Sequence, residues 1–176
     1  MKTEIRQEEP KDYKTVSKII ETAFKGDPYC DNREHILVEK LRLAKGFVPE
    51  LSLVAMVNDE LVGHILLTQI KIKNEYESIT SLALAPVSVK VEMQGQGVGG
   101  KLINAAHKKA KALGYKHIVL LGHENYYPRF GYELTSKYNI KLPFNAPKEN
   151  CMVIALEENA LDGVNGMVEY PKEFLE

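Results

Sequence analysis

Four glycines within six positions, Gly95, Gly97, Gly99 and Gly100, lie in the run Gln94-Gly95-Gln96-Gly97-Val98-Gly99-Gly100-Lys101, between a segment that reads as a strand and one that reads as a helix. This junction constrains the fold more than any other stretch. Glycines let successive backbone amides turn toward one point, and the positive end of the following helix dipole favours an anion there. Phosphate is the obvious guest. Amide bonds to a charged oxygen contribute about 1.5 to 3 kcal/mol each, so three would supply half or more of the roughly 8 kcal/mol behind micromolar affinity. The loop is able to anchor a nucleotide without naming it.

The segments around the loop follow a mixed α/β order. Ile5 opens a short strand, and Asp12 is placed to cap a helix with the apolar stripe Val16, Ile19, Ile20 and Phe24, ending at Lys25-Gly26. A second helix is expected from Asn32 to Ala44, with Ile36, Leu37, Leu41 and Leu43 inward. The apolar runs Leu53 to Val57 and Leu61 to Ile72, separated by Asn58-Asp59-Glu60, form a hairpin signature. The next strand, Ser78 to Val89, contains Pro86, which lacks the ladder donor and implies a bulge or an edge. After the glycines comes a helix with Leu102, Ile103, Ala106, Ala110 and Leu113 inward, stopped by Gly114, and then a buried strand from His117 to Leu121. Such a strand, helix, strand unit is expected to be a right-handed parallel crossover. The tail carries one more strand, Cys151 to Leu156. At 176 residues and 44% hydrophobic, the chain suits a single domain over 1–176.

Three readings of the loop compete. A triphosphatase loop fails because Leu102 stands where a Ser or Thr hydroxyl must hold magnesium. A dinucleotide fingerprint is satisfied by Gly95, Gly97 and Gly100, with Glu124 downstream to meet a ribose. Its context is wrong, because several strands precede it and too little chain follows for a doubly wound sheet.

The third reading is a resemblance. Val87-Ser88-Val89 followed by Gln94 to Gly99 resembles the acetyl-CoA signature of the GCN5-related N-acetyltransferase (GNAT) superfamily, whose core Q/R-x-x-G-x-G/A is matched by Gln94, Gly97 and Gly99. Tyr127-Pro128-Arg129-Phe130-Gly131-Tyr132 is similar to the tyrosine element that follows the family's fifth strand. The tail, with Leu161 to Gly166 and Val168-Glu169-Tyr170-Pro171, resembles a bacterial YhbS-like subgroup. Val91 and Met93 depart from the family, which often has proline and an aromatic residue there.

The resemblance implies a mixed, mostly antiparallel sheet of about seven strands flanked by helices, with strands 4 and 5 parallel and splayed. It also implies acetyl-CoA (coenzyme A) as cofactor, held by Val87, Ser88, Val89, Gln94, Gly95, Gln96, Gly97, Val98, Gly99 and Gly100, with Asn125 and Tyr127 contributing. Pantetheine has two amides, so it is able to pair with a strand edge freed beyond Pro86. The activity implied is transfer of an acetyl group to a primary amine, on a small molecule or a protein, by direct attack. In the family a backbone amide of the splayed strand meets the oxyanion, here that of Val89 or Ser88, and a tyrosine, here Tyr127, protonates the departing thiolate. Tyr126 is the next candidate for that role. An acceptor for the amine proton is sought among His123, Glu124 and Glu92.

Other classes are disfavoured by composition. Lys plus Arg total 23 against 24 Asp plus Glu, a net charge of -1, so no positive field points to nucleic acid. No apolar run approaches the roughly 18 residues of a membrane helix. Two distant cysteines, Cys30 and Cys151, suit a reducing, cytoplasmic setting and form no metal site, and His35, His64, His107 and His117 show no metal spacing. Lys101, Lys108, Lys109 and Lys111 read as the wet face of their helix. Two rival functions stay open at this level: a CoA-sensing module without turnover, and a dinucleotide-dependent oxidoreductase. So does the choice between monomer and homodimer.

Overall fold

The computed structural model describes residues 1–176. In chain order its elements are β1 (Thr3–Gln7), α1 (Tyr13–Ala23), α2 (Glu34–Leu41), β2 (Phe47–Val57), β3 (Glu60–Lys73), β4 (Ser78–Val89), α3 (Val98–Ala112), β5 (His117–Leu121), β6 (Glu133–Leu134), β7 (Ile140–Lys141), β8 (Cys151–Ala155) and β9 (Gly166–Glu169), with short 3-10 turns between several of them. The strands form one nine-stranded sheet in the order β1-β2-β3-β4-β5-β8-β6, with β9 paired to β3 and β7 to β9. Pairing is antiparallel at β1–β2, β2–β3, β3–β9, β5–β8 and β6–β8, and parallel at β4–β5 and β7–β9. This is no doubly wound parallel sheet, so the dinucleotide reading of the glycines loses its scaffold.

The chain divides into two compact units, 1–68 with 85–109, and 69–84 with 110–176. In the first, α1 buries Val16, Ile19 and Ile20, three of the four residues expected inward, while Phe24 lies at its frayed end, half-buried. Asp12 occupies the N-cap position of α1 but makes no capping bond to it. Its carboxylate accepts instead from the Glu9 amide at 2.8 Å and from both Arg6 Nη atoms at 2.7 and 2.9 Å. The Arg6 hydrogen bonds hold its pKa below the usual carboxylate range. Helix α2 is shorter than its apolar pattern suggests, and its buried residues are Val38 and Leu41. Leu43, expected inward, is 90% exposed beyond the helix end.

The hairpin forms as expected. Asn58 and Asp59 take φ of 51° and 63° in the two-residue turn between β2 and β3, the left-handed pair that matches strand twist. From Leu61 to Thr68 every residue of β3 is buried, the pattern of a strand covered on both faces.

In the second unit the core gathers Ile70, Ile72, Ala83, Val119, Ile140, Val153, Leu161, Val164, Val168 and Tyr170. The β4–β5 ladder has two registered pairs, Leu82↔Ile118 and Ala83↔Val119. It stops short of Pro86, whose peptide bond with Ala85 is cis. The irregularity expected at Pro86 therefore coincides with the end of parallel pairing. Nine strands replace the expected seven because β6 and β7 are two residues each, too short to show a period, and β9 lies in a tail assigned only one strand. Leu113, expected inward on α3, follows the last helical residue and is 43% exposed.

Candidate active site

The first unit carries the glycine junction. After β4 ends at Val89, a 3-10 turn over Val91–Met93 leads into an exposed bend at Gln94–Gly97, and α3 starts at Val98, which is buried and anchors the helix. The Lys101 amide donates to Gly97 O at 3.1 Å, the first turn of the helix. The amides of Gly97, Val98, Gly99 and Gly100 thus have no carbonyl partner inside it. Gly95 and Gly97 adopt φ of +76° and +85°, and a Cβ at either would meet nothing within 4 Å. Glycine is required there by backbone conformation and not by crowding, and the space above the bend is open to a bulky anion.

Two glutamine side chains stiffen the bend. Gln94 Nε2 donates to Val89 O at 3.1 Å, tying the loop to the end of β4, and Gln96 Nε2 donates to Glu92 O at 3.2 Å. Along β4, Val87 and Val89 are half-buried and Ser88 is buried; Glu92 is exposed. Lys101, Lys108, Lys109 and Lys111 are all exposed, the wet face their spacing indicated, with Lys101 Nζ donating to Thr3 Oγ1 at 3.2 Å.

One residue here escaped sequence reasoning. A Cβ on Gly63 of β3 would sit 3.0 Å from Leu102 Cδ1, 3.0 Å from Ser88 O and 3.4 Å from Val98 Cγ1. Gly63 therefore sets how closely α3 approaches the sheet just behind the glycine bend. The available signal was a lone glycine inside a strand pattern.

The second unit carries the tyrosine element. Beyond β5, Gly122 exchanges hydrogen bonds with Asn150: Gly122 N donates to Asn150 O at 2.9 Å, and Asn150 Nδ2 to Gly122 O at 3.0 Å. His123, Glu124 and Asn125 follow, all exposed. Tyr127 opens a 3-10 turn that ends at Gly131, φ +102°. Its ring is buried, edge-on to Tyr126 at 5.1 Å and to Tyr132 at 5.7 Å. Tyr126, one position earlier, is only half-buried and lies under the Arg129 guanidinium at 4.8 Å. Arg129 also donates to Tyr126 O at 3.0 Å and to Asn125 O at 3.3 Å, fixing the backbone on which both tyrosines ride. Burial, with a smaller contribution from Tyr126, holds the Tyr127 phenol proton well above the ordinary tyrosine range. A Cβ on Gly122 would collide with the Tyr127 ring, so Gly122 was a second residue that its sequence position alone did not reveal.

Comparison with known proteins places this arrangement. The family model described as an acetyltransferase (GNAT) domain matches residues 4–135. The uncharacterized N-acetyltransferase YhbS of Escherichia coli K12 is 29% identical over 171 residues, 97% of each chain. The uncharacterized N-acetyltransferase YjhQ of the same strain is 37% identical over 120 residues, 68% of this chain and 66% of YjhQ, so the match spans just under two thirds of that relative. The crystal structure of E. coli YhbS in complex with CoA superposes with a TM-score of 0.89 at 26% identity, covering 100% of this chain and 93% of that one. A GNAT family acetyltransferase from Brucella melitensis in complex with acetyl-CoA gives 0.80 at 30% identity, covering 98% of both. With three quarters of its length matched by one family model and its glycine bend and tyrosine turn in the expected order, the chain belongs to the GNAT acetyltransferase family.

Proposed function

We propose that this protein is an N-acetyltransferase that moves an acetyl group from acetyl-CoA to a primary amine, on a small molecule or a protein, within one domain over 1–176. The observation that carries the reading is the open glycine bend at the start of α3, with its four unmatched amides, directly after a strand whose parallel pairing has already ended at Ala83. Those amides suit a pyrophosphate, and the freed edge at Val87, Ser88 and Val89 suits the two amides of pantetheine. The similarity to YhbS with CoA and to the Brucella protein with acetyl-CoA supports the same choice. Gln94, Gly95, Gln96, Gly97, Val98, Gly99 and Gly100 are the proposed contacts to the phosphates, and Asn125 and Tyr127 are further proposed cofactor contacts.

Acetyl-CoA supplies an activated thioester; this chain supplies orientation and proton handling. The amide of Val89, or of Ser88, is the proposed donor to oxygen as negative charge builds on it. Tyr127 is the proposed acid for the sulfur. Its raised pKa keeps it protonated through any working pH, and it gives up its proton only to a thiolate that is itself desolvated. His123 and Glu92 are exposed candidates for receiving the amine proton. Free thiols at Cys30 and Cys151 support a reducing, cytoplasmic setting.

Thermal unfolding with acetyl-CoA, CoA or NAD tests the cofactor. Millimolar acetyl-CoA and CoA are expected to raise Tm and NAD to leave it unchanged; no response to either CoA species overturns the reading. Thiol release across an amine panel then separates an enzyme from a sensor that binds CoA without turnover.

A further inference from the structure

Helices α1 and α2 leave a trough of about 680 Å³ between them, on a face of α1 other than the one that buries Val16, Ile19 and Ile20. Its floor is the Tyr13 ring, with the Arg42 guanidinium 4.0 Å over it. Arg42 is already committed, since its Nε and Nη2 donate to the Glu8 carboxylate at 3.1 and 2.7 Å. The walls carry Lys14, Lys18 and Glu21 from α1 and Glu39 from α2, with Leu43 on the lip, and all five are exposed. Walls so open to water suit a protein surface better than a small ligand, which needs most of its own surface enclosed.

The charges on these walls serve α1 itself badly. Lys14 lies in the first helical turn and Glu21 in the last, with no acidic residue in the first turn and no basic one in the last, the reverse of what the helix dipole favours. Lys14 and Lys18 stand one turn apart, a spacing at which like charges repel. Nor are they answered within the chain. No carboxylate lies within 4.0 Å of either ammonium and no cation within 4.0 Å of Glu21, while Glu39 Oε1 accepts from the Ser17 hydroxyl at 3.5 Å.

We propose that this trough is the contact between two copies of the chain, packed α1 against α1 in opposite directions. The spacing of the charges selects the register. A two-fold axis passing between Ser17 and Lys18 sets Lys14 against the partner's Glu21 and Lys18 against the partner's Ser17, beside which the partner's Glu39 stands; each pairing then repeats by symmetry. The same reversal brings a carboxylate to the first turn of each α1 and an ammonium to its last, so both dipoles are satisfied by the other copy. Leu43, on the lip, is taken out of water by the same contact. The dimer owes nothing to the acetyl-transfer reading and stands or falls separately from it.

Exposed ion pairs around a small apolar centre make a modest, salt-sensitive association, with Kd on the order of 10 µM at about 50 mM NaCl and at least about fivefold weaker at about 500 mM. Sedimentation equilibrium of the full chain tests it with two charge-reversed proteins. Lys14→Glu with Lys18→Glu leaves carboxylates alone on the walls, and Glu21→Lys with Glu39→Lys leaves ammonium groups alone. Each double variant by itself is expected to be monomeric at about 100 µM, and an equimolar mixture of the two to form a mixed dimer at least as tightly as the wild type. A wild type that stays monomeric at about 100 µM in low salt overturns the proposal. So does a dimer that both reversed proteins retain, which then lies on another face, and so does a mixture that stays monomeric. If the wild type is monomeric and a zwitterionic tripeptide, Lys-Gly-Glu, shifts its 15N-labelled α1 amides, the trough holds a small ligand and the dimer is rejected.

Discussion

Tyr127, the proposed acid, is a single buried phenol. Its ring is wedged between Tyr126 and Tyr132 and abuts Gly122, so truncating only the hydroxyl leaves the packing in place. Tyr127→Phe is therefore expected to lower turnover by about 10² to 10⁴, the size of a lost general acid, with acetyl-CoA affinity nearly intact by titration. Unchanged turnover removes Tyr127 from the chemistry. Because burial keeps its proton in place, the wild-type rate should show no alkaline decline attributable to Tyr127 below about pH 10. In the sequence the residue stands out as part of a short ordered pattern with Pro128, Gly131 and Tyr132, and its role is what this substitution tests. Its immediate support does not stand out there. The Gly122–Asn150 exchange joins positions 28 apart, and nothing local in either neighbourhood announces the other.

At the scale of elements, the junction of β4 and α3 depends on β3. Gly63 lets Leu102, Val98 and the Ser88 carbonyl come within 3.0 to 3.4 Å of where a side chain would start. One of these neighbours is backbone and cannot swing aside, so Gly63→Ala must push α3 or β4 outward. The expected cost is about 1 to 3 kcal/mol in urea unfolding, accompanied by weaker acetyl-CoA binding because the glycine bend moves with its helix. Full stability with wild-type affinity would show that the sheet yields freely at this point. The hairpin of β2 and β3 and the strand, helix, strand passage through α3 could be read from local pattern, because turn chemistry and periodicity are short-range. The end of α2 could not. Leu43 continues the apolar spacing of its neighbours, yet the helix stops at Leu41 and the chain turns away, leaving that leucine in solvent. Strands of two residues such as β6 and β7 exist only because a partner strand is already in place.

For the molecule as a whole, stability should bend with pH through two buried histidines, His64 and His117, and the half-buried His107. Burial lowers the pKa of His64 and of His107 to about 4, and lowers that of His117 as well. A base whose folded pKa lies below its unfolded value near 6.5 binds its proton more readily in the unfolded chain. Its contribution to stability is complete above about pH 6.5 and is lost progressively as pH falls toward 4. For His64 this amounts to about 1 to 2 kcal/mol at pH 5. Asp12 acts in a lower window, because its carboxylate, held by Arg6, loses its contribution only as pH falls below about 3.8. Urea unfolding at pH 7 and pH 5 should show the decline, and His64→Gln should flatten it; parallel curves for the two proteins would count against the assignment. These histidines looked unremarkable in sequence because their burial depends on which strands and helices cover them, and that is decided far away along the chain.

The tail strand β9 has a practical consequence. The family match ends at residue 135, but β9 supplies Val168 to the second unit's core and pairs Lys71, Ile72 and Lys73 of β3, while β8 pairs all five residues of β5. A truncated version stopping at 135 would bare three residues of β3 and all five of β5, with their amides and carbonyls, together with the apolar side chains beneath them. Such margins recruit other copies, so the shortened product is expected in inclusion bodies while the full-length chain stays in the supernatant, and any deletion series for expression should begin beyond Tyr170.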